Sequence, residues 1–347
     1  MADSVDVVQQ RLLNEIPDDI DKSEGEFVYD VTKPVAIELS KQYTEQDKIL
    51  DRGFVETAAG TDLDKKVSEQ GLTRKPATFA TATVTITGAE GAEVNEGILV
   101  SSDTINFRVT ESVVIDSSLE VNVSVECIQS GTVGNVPAGA IKYFPVTIAG
   151  LTSVTNLEAV TNGYNAESDE ELRQRYYDKV RTPATSGNKY HYKNWAKEVT
   201  GVGDARVISL WDGPGTVKVI IIDSNKTGAD LQLIEDVENY IEEVRPIGAT
   251  VTVVSAIEVA INIQASLTID TDNYSEAEVI ENIEEGILEY LKEIAFIDDY
   301  VSYAKIGSII LGSLGVMDYE SLTVNSGTAN IAIADDEVAV LGGVVNV

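Results

Sequence analysis

The sequence predicts an α+β multidomain protein with an N-terminal helical segment, a small antiparallel β barrel or sandwich, and two α/β (ferredoxin-like) sandwich domains. Three changes in the apolar pattern predict this class. Helical spacing over the first 78 positions gives way to alternation from Ala80, and helical and strand-like runs alternate from Ser168. The 347 residues suffice for roughly two to four domains. We place these domains at 1–78, 79–165, 166–256 and 257–347.

The N-terminal segment is predicted to form three short helices. Val5, Val8, Leu12 and Ile16 recur on one helix face, and Pro34 suits the first turn of a second helix. Such narrow apolar faces make a marginal core, so we expect this segment to be completed by packing against something else, such as another chain. The four apolar residues of the first helix are therefore candidate interface residues.

The next region has the pattern of a small all-β domain. Ala82, Val84 and Ile86 alternate with polar residues, as do the apolar positions from Val121 to Cys127, and glycine-rich turns separate the runs. After Ser168 the predicted element order is αββαβ, which suggests a ferredoxin-like sandwich. The last quarter of the chain partly repeats that order without a repeat in sequence.

The acidic composition excludes several classes of function. The 25 Lys and Arg residues stand against 58 Asp and Glu, for a net charge of −33. Such a surface repels phosphate backbones and anionic lipids, so we expect neither nucleic-acid binding nor membrane binding. The N-terminus does not have the pattern of a signal peptide, and the longest nearly uncharged stretch, Ile306 to Met317, is too short to span a bilayer. A soluble protein made in the cytosol is expected.

Few residues of the sequence are candidates for catalysis, disulfide formation or metal binding. The chain has one cysteine and one histidine, which rules out an internal disulfide and the common Cys/His zinc sites. Cys127 has the strand parity of a core residue, and His191 is expected on a helix surface, with no nucleophile near it. The carboxylate pairs Asp18-Asp19, Asp298-Asp299 and Asp335-Asp336 suit a solvated acidic face better than a glycosidase. We expect no catalytic residue, no metal and no cofactor.

One region departs from the acidic average. Between Arg173 and Arg206 there are eight Lys or Arg and three acids, with four Tyr and one Trp residue interleaved after position 175. Because Tyr, Trp and Arg are enriched at protein interfaces, the patch is a candidate for docking on an acidic neighbour, for instance another copy of this chain. The alternative is two amphipathic helices that cover their own sheet. The candidate interface residues here are Lys189, Lys193, Trp195 and Lys197.

An ordered series of short motifs from about Gly60 onward resembles the baseplate J-like family of contractile phage tails and phage-tail-like bacteriocins. The motifs are AAGTDLDKKVSEQGLTRKPATFA, GTVGNVPAG and SVTNLEAVTNGYNAESDEELRQRY, followed by a Pro-Gly-x-Val turn. The matching positions are Gly60, Leu63, Asp64, Gly71, Arg74, Ala77, Ala80, Gly91, Val94, Gly97, Gly131, Gly134, Asn135, Val136, Gly139, Val154, Asn156, Gly163, Glu167, Ser168, Leu172, Arg173, Arg175, Gly187, Tyr190, Trp195, Pro214, Gly215 and Val217.

The resemblance implies a structural role. Family members form the baseplate wedge around a central hub, typically as two copies with one smaller partner chain joined through N-terminal helices. The ring they build would change diameter when the tail is triggered, through rigid-body movement at joints near Thr161–Ser168 and Ala256–Val259. The implied partners are other copies, a smaller wedge protein, and hub and sheath-proximal baseplate proteins. Synthesis in the host cytoplasm, assembly into a phage tail or tailocin baseplate and release by lysis are implied as well.

Two other functions stay open at this point. One is a glycan-active tail hydrolase that uses paired carboxylates, although the predicted β domain is poor in the Tyr and Trp side chains that line sugar subsites. The other is a secreted adhesin-type binding module, which the missing export signal disfavours.

Overall fold

The computed structural model describes residues 3–182, 184–185 and 187–347, in two compact units. The N-terminal unit combines the residues up to Arg74 with Glu167–Val180. Its helices are α1 (Val5–Asn14), α2 (Phe27–Gly53), α3 (Gly60–Ser68) and α4 (Asp169–Arg181). Helix α4 falls in the predicted 166–256 domain, yet it clusters with the helices that precede the barrel. The predicted start of α2 at Pro34 is wrong, because the helix begins at Phe27 and carries this proline inside it.

The main unit, Lys75–Ala166 with Arg181–Val347, begins with a barrel-like antiparallel module. Its strands are β1 (Phe79–Gly88), β2 (Glu93–Val94), β3 (Leu99–Ser101), β4 (Asn106–Val109), β5 (Val113–Val114), β6 (Glu120–Ser130) and β7 (Leu151–Thr155). Five of them form a sheet in the order β3-β4-β6-β1-β7, and β2 pairs with β5. The alternation predicted for β1 and β6 is confirmed, since Val84, Ile86, Val123, Val125 and Cys127 are buried in its core.

The central module packs two helices on one face of a three-stranded sheet. Its elements are α5 (Lys189–Glu198), β8 (Val202–Ser209), β9 (Thr216–Asp223), α6 (Leu231–Val244) and β10 (Thr250–Ser255). The strand order is β10-β9-β8, antiparallel between β8 and β9 and parallel between β9 and β10. Successive residues of β9 face opposite sides, so Val219 and Ile221 pack with the helices whereas Ile220 and Ile222 belong to a second apolar cluster.

The C-terminal module has the largest apolar cluster. Its elements are β11 (Ile257–Ile269), α7 (Glu276–Ile294), β12 (Tyr300–Val301), α8 (Tyr303–Gly312), β13 (Val316–Val324), β14 (Ile331–Ala332) and β15 (Glu337–Asn346). Strands β13, β11 and β15 form a sheet in that order, with β11 antiparallel to β13 and parallel to β15. Helices α7 and α8 pack on this sheet.

The ferredoxin-like prediction holds for the layering and only partly for the topology. Each α/β module places helices on one face of its sheet, and both sheets are mixed. Each main sheet has three strands in the described residues, whereas a complete βαββαβ unit supplies four. In the central module the parallel strands β9 and β10 are direct neighbours, because no strand lies between them.

Candidate functional site

The pairing of α1 with α2 is largely polar, and includes an ion pair of Lys33 with Asp6 at 3.1 Å. Val8 of α1 and Ala36 of α2 are buried, and between them Gln9 donates from Nε2 to Thr32 Oγ1 at 2.8 Å and to the Tyr29 carbonyl at 3.3 Å. Three of the four predicted interface residues lie on α1, with Val8 buried and Val5 and Leu12 half-buried. Ile16, also half-buried, lies beyond the end of α1 at Asn14, so the prediction that it continues the same helix face is wrong. Val8 therefore serves contacts within the chain, and the interface role of the set stays a prediction.

Helix α2 exposes apolar side chains along much of its length. Ala36 is the one fully buried residue among its 27. The large apolar residues of α2 that remain exposed are Phe27 at 79%, Val31 at 52%, Val35 at 49%, Ile37 at 37%, Ile49 at 61% and Leu50 at 66%. Phe27, Val31 and Val35 project from one side of the helix, roughly opposite Ala36, and form a short apolar row over its first turns. Ile49 lies on the same side near the end of the helix, beyond Glu38, Gln42 and Glu45. The described residues of the chain do not cover these apolar side chains.

Helix α4 completes the only cluster of buried apolar residues in the described part of the N-terminal unit. Leu63 and Val67 of α3 pack with Leu172 of α4 in this cluster. The Arg173 guanidinium adds two hydrogen bonds, to the carbonyls of Val55 at 2.8 Å and Ala58 at 2.9 Å. A segment from the middle of the sequence thus stabilises the helices at its beginning.

Two arginines fasten α4 to the segment that leaves α3. Arg175 donates from Nε and Nη2 to the Glu167 carboxylate at 2.7 Å each, and from Nη2 to the Thr73 carbonyl at 2.7 Å. Arg74 bridges Asp64 and Asp169 at 2.8 and 2.6 Å. The side chains of Arg175 and Glu167 are 9% and 7% exposed, so the pair is buried and its charges depend on each other.

Asp169 is held in its charged form by this arrangement. The backbone N–H of Gly60 donates to its Oδ2 at 2.9 Å, and this hydrogen bond is the main reason why the pKa of Asp169 is lowered. Slight burial opposes the shift, and Arg74 supports it. The carboxylate also caps the start of α3, where free backbone N–H groups favour a negative charge.

Most of the basic patch predicted from the sequence is neutralised within the chain. Lys193 and Lys197 lie 3.0 and 3.7 Å from Asp204. Burial opposes ionisation of Asp204, but the attraction of Lys197 and Lys193 outweighs it, so that the pKa of this carboxyl is lowered. Arg206 is paired with Asp335 at 3.6 Å. Lys189 lies over the ring of Tyr190, which is 37% exposed, and this end of α5 is the open part of the patch.

The aromatic residues of α5 other than Tyr190 belong to its packing. Trp195 packs against the central core beside Tyr192, and the His191 ring stacks on Trp195 with centroids 4.9 Å apart. His191 Nδ1 accepts a hydrogen bond from the Gly187 backbone N–H at 3.1 Å. Cys127 is fully buried in the barrel core, as predicted, and the structure brings no His191–Cys127 pair together.

The joint between the barrel and the central module combines hydrogen bonds with one buried aromatic contact, since the Tyr164 ring lies where a Cβ on Gly201 would meet it at 3.0 Å. Asn225, in the turn after β9, donates to the Thr161 carbonyl at 3.2 Å. In the same turn Asp223 accepts from the backbone and hydroxyl of Thr227 at 2.8 and 3.1 Å. Burial raises the pKa of Asp223 to about 6, while the hydrogen bonds from Thr227 and Asn225 oppose that rise. Hydrogen bonds, rather than an apolar cluster, tie these two modules at this turn.

The joint between the central and C-terminal modules is apolar. The back of the central sheet and the C-terminal module share one buried cluster, formed by Ile220, Ile222, Ala256, Ala295 and Val338. The Arg206 guanidinium lies 4.8 Å from the centroid of the Phe296 ring and donates to the Asp335 carbonyl at 3.2 Å. Lys218 adds a contact to Asp336 at 3.8 Å. The joint near Ala256 is therefore held by a buried apolar cluster and by charged contacts.

The carboxylate pairs of the sequence are exposed or in ion pairs, with Asp298 and Asp299 both exposed. Asp335 and Asp336 make the contacts at the joint, and Asp18 pairs with Lys22 at 2.8 Å. Across the described residues there is no group of three His, Cys, Asp or Glu side chains placed to hold a metal ion. Likewise, no helix in the described ranges has the length and apolar content needed to cross a membrane.

Three family models match successive parts of the chain. They are the Baseplate J-like protein barrel domain at residues 83–163, the Baseplate J-like central domain at 184–255 and the Baseplate J-like protein C-terminal domain at 261–347. The matches follow the three modules of the main unit in order.

Two curated relatives and one solved structure illustrate what the chain is similar to. The Phage-like element PBSX protein XkdT of Bacillus subtilis (strain 168) is 35% identical over 347 residues, covering 98% of this chain and 96% of the relative. Baseplate protein gp47 of Escherichia phage Mu is 27% identical over 173 residues, 48% of each chain. A chain in the cryo-EM structure of the anti-feeding prophage baseplate aligns over 97% of this chain and 89% of its own length, at 10% identity and a TM-score of 0.40.

Proposed function

Since this chain belongs to the baseplate J-like protein family, we propose that it is a structural wedge component of a contractile tail or phage-tail-like particle. In this role it links neighbouring wedges around the hub and transmits the trigger for sheath contraction without catalysing a reaction. It is made in the host cytoplasm, assembled with the baseplate and released by lysis.

The observation that carries the proposal is the open apolar face of α2. Burying a large apolar side chain contributes roughly 1.5–3 kcal/mol, so Phe27, Val31, Val35 and Ile49 represent a substantial association energy that the isolated chain does not use. A second copy of this chain and a smaller wedge partner, each contributing helices, would cover such a face. Hub and sheath-proximal proteins complete the set of proposed partners.

The exposed end of α5 is a second proposed contact. Lys189 and Tyr190 remain available there, whereas Lys193 and Lys197 are paired with Asp204. Reversing one charge with Lys189→Glu should weaken assembly of neighbouring wedges at physiological salt. Lys65→Glu, on the exposed side of α3, is the matched control and should leave assembly unchanged. If the Lys189 variant assembled like the native protein, this end of α5 would not be part of the interface.

Rigid-body movement is proposed at the segment Thr161–Ser168. Of the two joints expected from the sequence, the one at Ala256–Val259 is bridged by a buried apolar cluster and by Arg206, and bending there would expose Ile220 and Ile222. At Thr161–Ser168 the hydrogen bond from Asn225 to Thr161 can be exchanged for water at lower cost, and the Tyr164 ring would have to shift on Gly201 as the segment moves. Electron microscopy of extended and contracted particles should therefore show the central and C-terminal modules superposing as one body.

Co-expression with the neighbouring tail genes, followed by native mass measurement, tests the wedge assignment. The native chain should be recovered with at least one other polypeptide. A triple variant Val31→Ser, Val35→Ser, Ile49→Ser should be recovered without that polypeptide. The control is Val114→Ser, Val146→Ser, Leu157→Ser, three apolar residues of the barrel region exposed at 57%, 70% and 73%. Recovery of the native protein as a stable monomer, or equal loss in both triples, would contradict the assignment.

A further inference from the structure

A groove of about 450 Å³ lies between α7 and α8 of the C-terminal module. Its floor is formed where the two helices approach, since a Cβ on Gly286 would lie 2.9 Å from Ile309 Cγ2. Ile309 is half-buried, and Leu314, at the far end of α8, is 64% exposed. The groove therefore has apolar surface at its floor and at one end.

The α7 wall of this groove is acidic. Glu285, Glu289 and Glu293 follow each other at four-residue spacing, line the groove and are exposed. Like charges at this spacing repel each other, by roughly 0.2–0.5 kcal/mol per pair in an isolated helix. The C-terminal end of α8, at Gly312 to Leu314, contributes its partial negative charge to the same groove. A cation bound here would relieve the repulsion.

The net charge of the C-terminal module strengthens the negative potential in the groove. Residues 257–347 contain 17 Asp and Glu against two Lys and Arg, and Lys305 is the basic residue among those lining the groove. The three glutamates stand on one helix, so they do not face each other across a cleft as the two carboxylates of a glycosidase do. The arrangement suits binding of positive charge better than acid–base chemistry.

A second copy of this chain is a poor occupant. The one cationic region, Arg173 to Arg206, has at least five of its eight basic side chains in ion pairs within the chain. Breaking those pairs to fill the groove would take away the cations that compensate the charge of the buried Glu167 and the largely buried Asp204, which costs more than the new contacts return. The positive charge that would pair with the three glutamates of the groove therefore has to come from a different protein.

We propose that the α7–α8 groove binds a basic, amphipathic segment of another polypeptide, whose lysines or arginines meet Glu285, Glu289 and Glu293 and whose apolar side chains pack on Ile309 and Leu314. The lining from Asn282 to Glu293 spans about 16 Å along α7, which is the length of three helical turns. This inference does not depend on the wedge role, because it rests on the charge and shape of the C-terminal module alone.

The test uses the full-length protein and a fluorescein-labelled amphipathic peptide of about 12 residues, with lysine at every fourth position and leucines beside them. Fluorescence anisotropy at about 150 mM salt limits contributions from distant charges. The groove variant is Glu285→Gln, Glu289→Gln, Glu293→Gln. The matched control is Glu235→Gln, Glu238→Gln, Glu243→Gln, which removes three exposed charges from α6.

The groove variant should raise the Kd about tenfold, the sum of three partly exposed ion pairs of about 0.5 kcal/mol each. The α6 control should stay within about twofold of the native protein, and Leu314→Ser should weaken binding by a smaller factor. Far-ultraviolet circular dichroism confirms that each variant is folded. Equal weakening by both triple variants, or no binding by the native protein, would overturn the proposal.

Discussion

Helices α2 and α7 are the two longest in the described residues, and they are used in opposite ways. Six of the 19 residues of α7 are buried, at the regular spacing of one helix face: Val279, Ile283, Ile287, Tyr290, Leu291 and Ile294. One of the 27 residues of α2 is buried, although α2 carries as many large apolar side chains. Apolar content therefore does not decide burial, and α2 presents a surface where α7 completes a core.

The C-terminal module and the N-terminal unit also differ in the contacts that stabilise them. The C-terminal module is stabilised by one large apolar cluster between its sheet and its helices. The N-terminal unit has a small apolar cluster around Leu63 and Leu172, together with buried ion pairs and hydrogen bonds from arginine to backbone carbonyls. A unit held by a few directional contacts keeps a defined shape while leaving apolar surface open for association.

The largest effect of a single substitution in the N-terminal unit is expected at a charged residue. Arg175→Met removes the guanidinium that pairs with the buried Glu167 carboxylate and should lower the free energy of unfolding of this unit by about 3–5 kcal/mol. Hydrogen exchange of the amides in α3 and α4 measures the loss locally. Lys41→Met, which breaks an exposed pair with Glu38, should change it by less than about 0.5 kcal/mol. Similar effects of the two variants would contradict the account of this unit.

A matched pair of apolar truncations sharpens the contrast between α2 and α7. Ile283→Ala removes a fully buried side chain and should cost about 2–5 kcal/mol in the C-terminal module. Ile49→Ala removes a side chain that is 61% exposed and should change stability of the isolated chain by at most about 0.5 kcal/mol. Urea unfolding followed by circular dichroism and hydrogen exchange compares them. A large loss with Ile49→Ala would show that α2 is packed in the isolated chain.

The smallest effect concerns how the two helices begin. Ser275 caps α7 by accepting from the Glu278 backbone N–H at 3.3 Å, and Glu278 Oε2 accepts from the Ser275 hydroxyl at 2.7 Å and its backbone N–H at 2.8 Å. Ser275→Ala should cost about 1 kcal/mol at pH 7. Glu26, at the start of α2, makes no side-chain cap, so Glu26→Ala should cost less than about 0.5 kcal/mol.

The cap also predicts a pH dependence. Hydrogen bonds from the Ser275 hydroxyl and backbone lower the pKa of Glu278 below its ordinary value of 4.5. A lowered carboxyl pKa contributes stability that is present above 4.5 and is lost as the pH falls through the folded-state pKa. The difference in melting temperature between the native protein and Ser275→Ala should therefore shrink on acidification from pH 7 to pH 3. A constant difference would mean that the ionised Glu278 takes no part in the cap.

Local patterns predicted much of the secondary structure. Alternation in β1 and β6 predicted which side chains point into the barrel, and burial of Val84, Val123 and Cys127 confirms it. The start of α2 was not predictable in this way, because Pro34 fits a first turn by its own geometry and nothing nearby indicates that the helix extends further back.

The assembly surfaces were predictable only in part. A count of charges showed that 173–206 is basic, yet it could not show that Asp204 neutralises Lys193 and Lys197. The placement of α4 against α3 joins residues more than 100 positions apart, as in the contacts of Arg173 with Val55 and Ala58. Contacts at that separation leave no periodic signal in a single sequence.

From its sequence alone, this protein can be assigned to the baseplate J-like family, with a strongly acidic, modular α+β chain whose first helices have thin apolar faces. Only the tertiary structure decided which apolar rows stay uncovered, which cations are already paired, and that an acidic groove opens between α7 and α8. The reason is that side-chain direction along a helix or strand follows from local geometry, whereas covering or pairing a side chain depends on what the rest of the chain brings beside it.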